Sequence, residues 1–86
     1  MSKFLIQVSH TPQECSEAMD EVSRKGSDVM EKTYWGCHFG EHTSWTIIDA
    51  SSESEALRSV PNMLQDRAEI IEVEQLTPEQ VRQAHQ

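Results

Sequence analysis

Among the 86 residues, the side chains best suited to chemistry are His10, Cys37, His38 and His42. The last three fall in one short stretch, Tyr34-Trp35-Gly36-Cys37-His38-Phe39-Gly40-Glu41-His42-Thr43-Ser44-Trp45, which also holds both tryptophans, the single tyrosine and one of two phenylalanines. An imidazole titrates near neutrality and serves as acid, base or metal ligand, which makes His42 the leading catalytic candidate. Imidazole and thiolate together suit zinc, copper or nickel, so His10, Cys37 and His42 form a candidate transition-metal set. Cys37 and His38 are neighbours that would face opposite ways on a strand, so at most one of them joins a given site. Cys37 activated by His42 or His10 would alternatively be a nucleophile. Tyr34, Trp35 and Trp45 offer flat surfaces for stacking on an organic ligand. Each candidate also has a plainer role. His42 would hold the turn, Cys37 would be an inert thiol, the aromatics would pack the core, and Glu41 would be a solvated turn residue rather than an accessory ligand. No dinucleotide fingerprint, P-loop or haem attachment is present, so no cofactor is predicted beyond a transition metal.

Fifteen acidic residues against seven basic ones, a net charge of -8 and a pI near 4.8 argue against nucleic acid and anionic membranes, which are bound through clustered Lys and Arg. No apolar run is long enough for a membrane span, and Met-Ser-Lys leads into a strand-like segment rather than a secretory core. The expected location is therefore cytoplasmic, where Cys15 and Cys37 are two free thiols. Mean hydropathy is low at -0.62, but the apolar residues are periodic, which predicts one folded domain over 1–86.

The elements that must position the candidates are legible in order. Lys3 to Ser9 alternates as a strand, with Phe4, Ile6 and Val8 on one face. Thr11-Pro12-Gln13-Glu14 is a capping box opening a helix to Lys25, whose stripe of Cys15, Ala18, Met19 and Val22 places Cys15 in the core. Gly26 is placed to end it, and a short link follows. A second strand runs from Lys32 to Cys37 or His38 and a third from Thr43 to Ala50, joined by a turn with Gly40 at positive φ. Ser52-Glu53-Ser54-Glu55 caps a second helix, Pro61 breaks it before a short helical piece to Gln65, and Glu69 to Leu76 is the fourth strand. Thr77-Pro78-Glu79-Gln80 opens a short C-terminal helix.

The order β-α-β-β-α-β-α predicts an α+β, ferredoxin-like fold: a four-stranded antiparallel sheet in order 4-1-3-2, covered by helices on one face, plus the C-terminal helix. That topology brings Ser9 and His10 beside His42 and Thr43, with Cys37 and His38 at the same sheet end. Alternation assigns Trp45, Ile47, Ile71 and Val73 to the helix-covered side. The other face would carry Leu5, Gln7, Ser9, His42, Ser44, Thr46, Ile48, Ile70, Glu72 and Glu74, a mixture suited to a second sheet enclosing a polar pocket.

KFLIQVSHTPQEC, YWGCHFGEHTSW and EIIEVEQLTPEQ together resemble the dimeric α+β barrel superfamily, in particular its short members with a WGC…GEHTxW hairpin. That superfamily includes muconolactone isomerases and antibiotic-biosynthesis-type monooxygenases, and the resemblance implies a homodimer with a buried pocket. The expected function is binding of a small organic ligand by Gln7, Tyr34, Ser44, Trp45, Thr46 and Glu72, with isomerase- or monooxygenase-like chemistry at His42. The alternatives are a non-catalytic binding or regulatory protein and a metal-binding protein using His10, Cys37 and His42.

Overall fold

Strand β1, Ser2–Ser9, buries Phe4, Ile6 and Val8 and leaves Lys3 and Ser9 exposed, the period-two pattern of a strand covered on one side. In the computed structural model, which describes residues 1–84, β1 lies between β3, Thr43–Ala50, and β4, Ala68–Val73, and is antiparallel to both. The short strand β2, Thr33–Trp35, pairs antiparallel with the outer edge of β3. The result is an α+β fold whose sheet runs β2-β3-β1-β4, the expected order read from the other edge. His85 lies outside the described residues.

The Thr11–Glu14 capping box forms, with the Thr11 N–H donating to Glu14 Oε1 at 2.8 Å. It opens a 3-10 turn, Pro12–Glu14, that runs into helix α1, Cys15–Lys25. Gly26 ends α1 at φ 134, and a second helix, α2, Ser27–Glu31, fills what the sequence suggested was a plain link. Helix α3, Glu53–Leu57, starts at Ser52, whose hydroxyl accepts from the Glu55 N–H at 3.1 Å. Beyond Pro61, residues Asn62–Arg67 form a 3-10 segment, and α4, Pro78–Ala84, is exposed along its length. Ala18 of α1, Ala56 of α3, Val60 and Leu64 close over Phe4, Ile6 and Val8 to make the core. Among the described residues, no helix is long and apolar enough to cross a membrane.

The register overturns the expected faces of β3 and β4. Directly paired residues share a face, and Val8 pairs with Ser44, Ile6 with Thr46 and Phe4 with Ile48. Ser44 and Thr46 therefore point into the core with Ile48 and Ala50, while Trp45 and Ile47 lie on the open face. Likewise Ile70 and Glu72 pair with Ile6 and Phe4, which moves Ile71 and Val73 to the open side. Thr46 is tolerated inside because Thr33 and Thr46 bond to each other, Oγ1 to Oγ1 at 2.8 Å, and Thr33 also donates to the Val29 carbonyl at 2.7 Å.

Strand β2 stops at Trp35 rather than reaching Cys37 or His38, because the Gly36 carbonyl accepts from both Phe39 and Glu41 and winds Cys37–Phe39 into a 3-10 turn. Gly40 takes the expected positive φ, 87. Strand β4 ends at Val73, short of Leu76.

Candidate metal centre

At the rim where β1 ends, the chain leaves the sheet at His10, and the His10 N–H donates to the His42 carbonyl at 3.0 Å, one step beyond the Ser9–Thr43 pair. That backbone bond fixes both histidines beside the start of β3, as the topology required. The turn after β2 brings in Cys37, and the first turn of α1 brings in Cys15. Side chains at a helix start lean back toward its N-terminus, so Cys15 overhangs the rim instead of pointing down into the core. The expectation that Cys15 is a core residue is thus corrected: it stands at the centre of the cluster.

Its sulfur lies 3.3 Å from His10 Nε2, 3.2 Å from Cys37 Sγ and 3.1 Å from His42 Nδ1. His10 Nε2 is also 3.1 Å from Cys37 Sγ. The four donor atoms all lie within 4.8 Å of one another, the one such group among the described residues. A zinc ion with bonds of about 2.3 Å to sulfur and about 2.0 Å to nitrogen sets tetrahedral edges of about 3.3–3.8 Å. The sulfur–nitrogen contacts are a few tenths of an ångström tighter than those edges and the sulfur–sulfur contact is about 0.6 Å tighter, so side-chain rotations must open them. A [2Fe–2S] cluster, whose ligands are divided between two irons, needs a wider spread of donors. The set suits one ion.

Burial and charge agree with that. His10 is only 6% exposed, and the other three are half-buried. Burial holds the His10 imidazole below its ordinary pKa, and neighbouring His42 pushes the same way, so His10 is a neutral donor. Burial, reinforced by the Cys15 thiol, pushes the Cys37 thiol up to about 11. A divalent ion would displace the thiol protons, and two thiolates would cancel its charge at a site that resists net charge. His10 Nδ1 and the nearby Trp35 Nε1 are buried without a protein partner.

A layer of support surrounds the ligands. Arg67 holds Glu14, the residue before Cys15, through both carboxylate oxygens, one of them at 2.8 Å. That guanidinium draws the Glu14 carboxyl down to about 2. Trp35 stacks edge-on against His10, with ring centroids 6.1 Å apart.

The remaining candidates separate. His38 is exposed and outside the cluster, as is Glu41, which accepts from the Thr43 hydroxyl at 3.0 Å. Gln7 lies on the open face and accepts from Trp45 Nε1–H at 3.2 Å. Tyr34, opposite Trp45, is 76% exposed. Ser44 and Thr46 are buried on the other side, and Glu72 pairs with Phe4, toward the sheet end away from His42. Gln7, His42, Ser44, Thr46 and Glu72 therefore do not share a face. A signal for Cys15 did exist in the sequence: His10 and Cys15 are five positions apart, as are Cys37 and His42, giving H-x4-C and C-x4-H. No family model, curated protein or solved structure matches the chain.

Proposed function

We propose that this chain is a small metal-binding protein whose His10, Cys15, Cys37 and His42 enclose one divalent, thiophilic ion, zinc being the best fit. The observation that carries the reading is the convergence of two sulfurs and two imidazole nitrogens within 4.8 Å, from the β1–α1 and β2–β3 connections. Tetrahedral S2N2 donors select zinc among common ions, and a set closed by four protein ligands is of the structural type. The ion would tie the end of β1, the start of α1 and both ends of the β2–β3 connection into one rim. Cobalt(II) titration tests this. Two cysteine sulfurs and tetrahedral geometry predict sulfur-to-cobalt charge-transfer bands and intense visible bands at one equivalent, both bleached by zinc. Weak octahedral bands, or none, would refute the reading.

A second reading concerns the sheet. The element order supports a ferredoxin-like fold, and the open face carries Leu5, Trp45, Ile47, Ile71 and Val73, with Ile47 and Ile71 about half exposed at 50% and 51%. We read this face as the seat of a second copy in the manner of a dimeric α+β barrel, with any small organic ligand held between the sheets. Light scattering at micromolar concentration should give twice the chain mass, reduced to one by Ile47→Glu. A monomeric wild-type mass would remove the dimer.

A further inference from the structure

Cys15 and Cys37 are free thiols, both only half-buried, with their sulfurs in contact at 3.2 Å. A disulfide bond is about 2.0 Å long, so roughly 1.2 Å of closure turns this contact into a bond. The partners lie 22 positions apart, on the first turn of α1 and the turn after β2, and no other cysteine competes for either. The two sulfurs also form one edge of the donor tetrahedron. Two sulfurs joined to each other are no longer thiolates and cannot serve as the ligands a divalent ion requires.

We propose that Cys15 and Cys37 form a reversible oxidation site, in which a hydroperoxide joins them as a disulfide and thereby expels the ion, and a dithiol restores both. The release of the ion rests on the metal-centre reading; the oxidation of the thiol pair does not. In the first step one sulfur attacks the O–O bond, keeps one oxygen as a sulfenic acid and releases the other as water, or as an alcohol from an organic hydroperoxide. In the second step the other sulfur displaces the sulfenic oxygen as water and the S–S bond closes. The sulfurs lose two electrons and the peroxide gains them. Two protons accompany them, from the thiols in the metal-free protein and from solvent when the thiolates hold an ion. The ion leaves with its charge unchanged, since His10 and His42 alone are two neutral ligands. A resolving sulfur already in contact favours this bond over further oxidation of the sulfenic acid.

The test treats zinc-loaded and metal-free wild-type protein with stoichiometric hydrogen peroxide, following zinc with a chromogenic chelator and the thiols by alkylation and intact mass. The expected result is loss of both alkylatable thiols, a mass lower by two hydrogens and a Cys15–Cys37 peptide cross-link, all reversed by dithiothreitol, with zinc release at the rate of thiol loss and zinc uptake regained once the dithiothreitol is removed and zinc resupplied. Sulfinic acid products, disulfides between chains, or zinc retained after the cross-link forms would overturn the proposal. Protein that takes up no zinc yet forms the intramolecular cross-link would remove the metal-centre reading and leave the thiol pair standing. Of the two single variants Cys15→Ser and Cys37→Ser, at least one should leave the remaining cysteine as a trappable sulfenic acid; a thiol that stays inert in both would also overturn it.

Discussion

Replacing Gly36 with alanine should damage the fold and the metal centre together, through space rather than torsion. Gly36 sits at φ -95 and ψ 2, which any L residue adopts. A Cβ there would lie 2.5 Å from the Glu41 carbonyl oxygen, 2.9 Å from Glu41 Cβ and 3.2 Å from Trp45 Cζ3. Ordinary carbon–oxygen contacts are about 3.3 Å or more, so the overlap is roughly 0.8 Å, and with backbone, which no rotamer relieves. Separation would loosen the Gly36 N–H to Thr43 and Glu41 N–H to Gly36 bonds, at 3.1 and 3.0 Å, that close the turn between Cys37 and His42. Overpacking costs about 1–3 kcal/mol and a weakened hydrogen bond about 0.5–1.5 kcal/mol. The reduced freedom of the unfolded chain returns about 0.4–1 kcal/mol. The net loss is about 2 kcal/mol, or ~8–16 °C in melting temperature for a chain of this size. Urea unfolding of metal-free protein measures the first effect, and competition with a zinc chelator should show at least a tenfold weaker site. Gly40 is the control: its φ is 87 but no atom lies within 4 Å of its would-be Cβ, so Gly40→Asn should be mild while Gly36→Asn is as severe as alanine. An unchanged midpoint for Gly36→Ala, or a larger loss for Gly40→Asn, would refute the reasoning.

Metal should stabilise the fold by mass action: free zinc at 100 times its dissociation constant adds about 2.7 kcal/mol. Calorimetry should therefore show a melting temperature raised by ~10 °C or more and returned by chelator, and an identical melt with and without zinc would contradict the site. In the core, Thr33→Val leaves the Thr46 hydroxyl without a partner and the Val29 carbonyl with only the Lys32 N–H, at 3.1 Å, and should cost about 1–3 kcal/mol, whereas Thr46→Val leaves Thr33 still donating to Val29 and should cost less; the reverse ranking in denaturant melts would show the bond direction to be wrong. The Glu14 carboxyl is held at about 2 against 4.5 when unpaired, so its contribution is complete above pH 4.5 and lost as pH falls toward 2. In chelator-treated protein, Arg67→Met should flatten the fall in stability over that window, and an unaltered acid limb would count against the Glu14–Arg67 pair.

Local instructions were legible along the chain. The Thr11 capping box, the Ser52 cap, the positive φ of Gly40 and the bounds of Thr43–Ala50 depend on a few neighbouring residues, whose backbone geometry and hydrogen bonding act at short range. The sheet order followed from the succession of elements, and it already carried His10 to His42. What alternation could not decide was which face of β3 meets the core. Trp45 and Ile47 are the more apolar pair, yet the pairing of Ser9 with Thr43 puts Ser44 and Thr46 opposite Val8 and Ile6, and a register shift of one residue would reverse every side chain. Cys15 is the same lesson on a helix. Its spacing to Ala18 and Val22 describes an apolar stripe, but only the tertiary structure sets the helix start against the sheet rim and leans that side chain toward His10, Cys37 and His42. Periodicity is written in neighbours, whereas a site made from two distant connections is written in distances that exist only after the chain has closed.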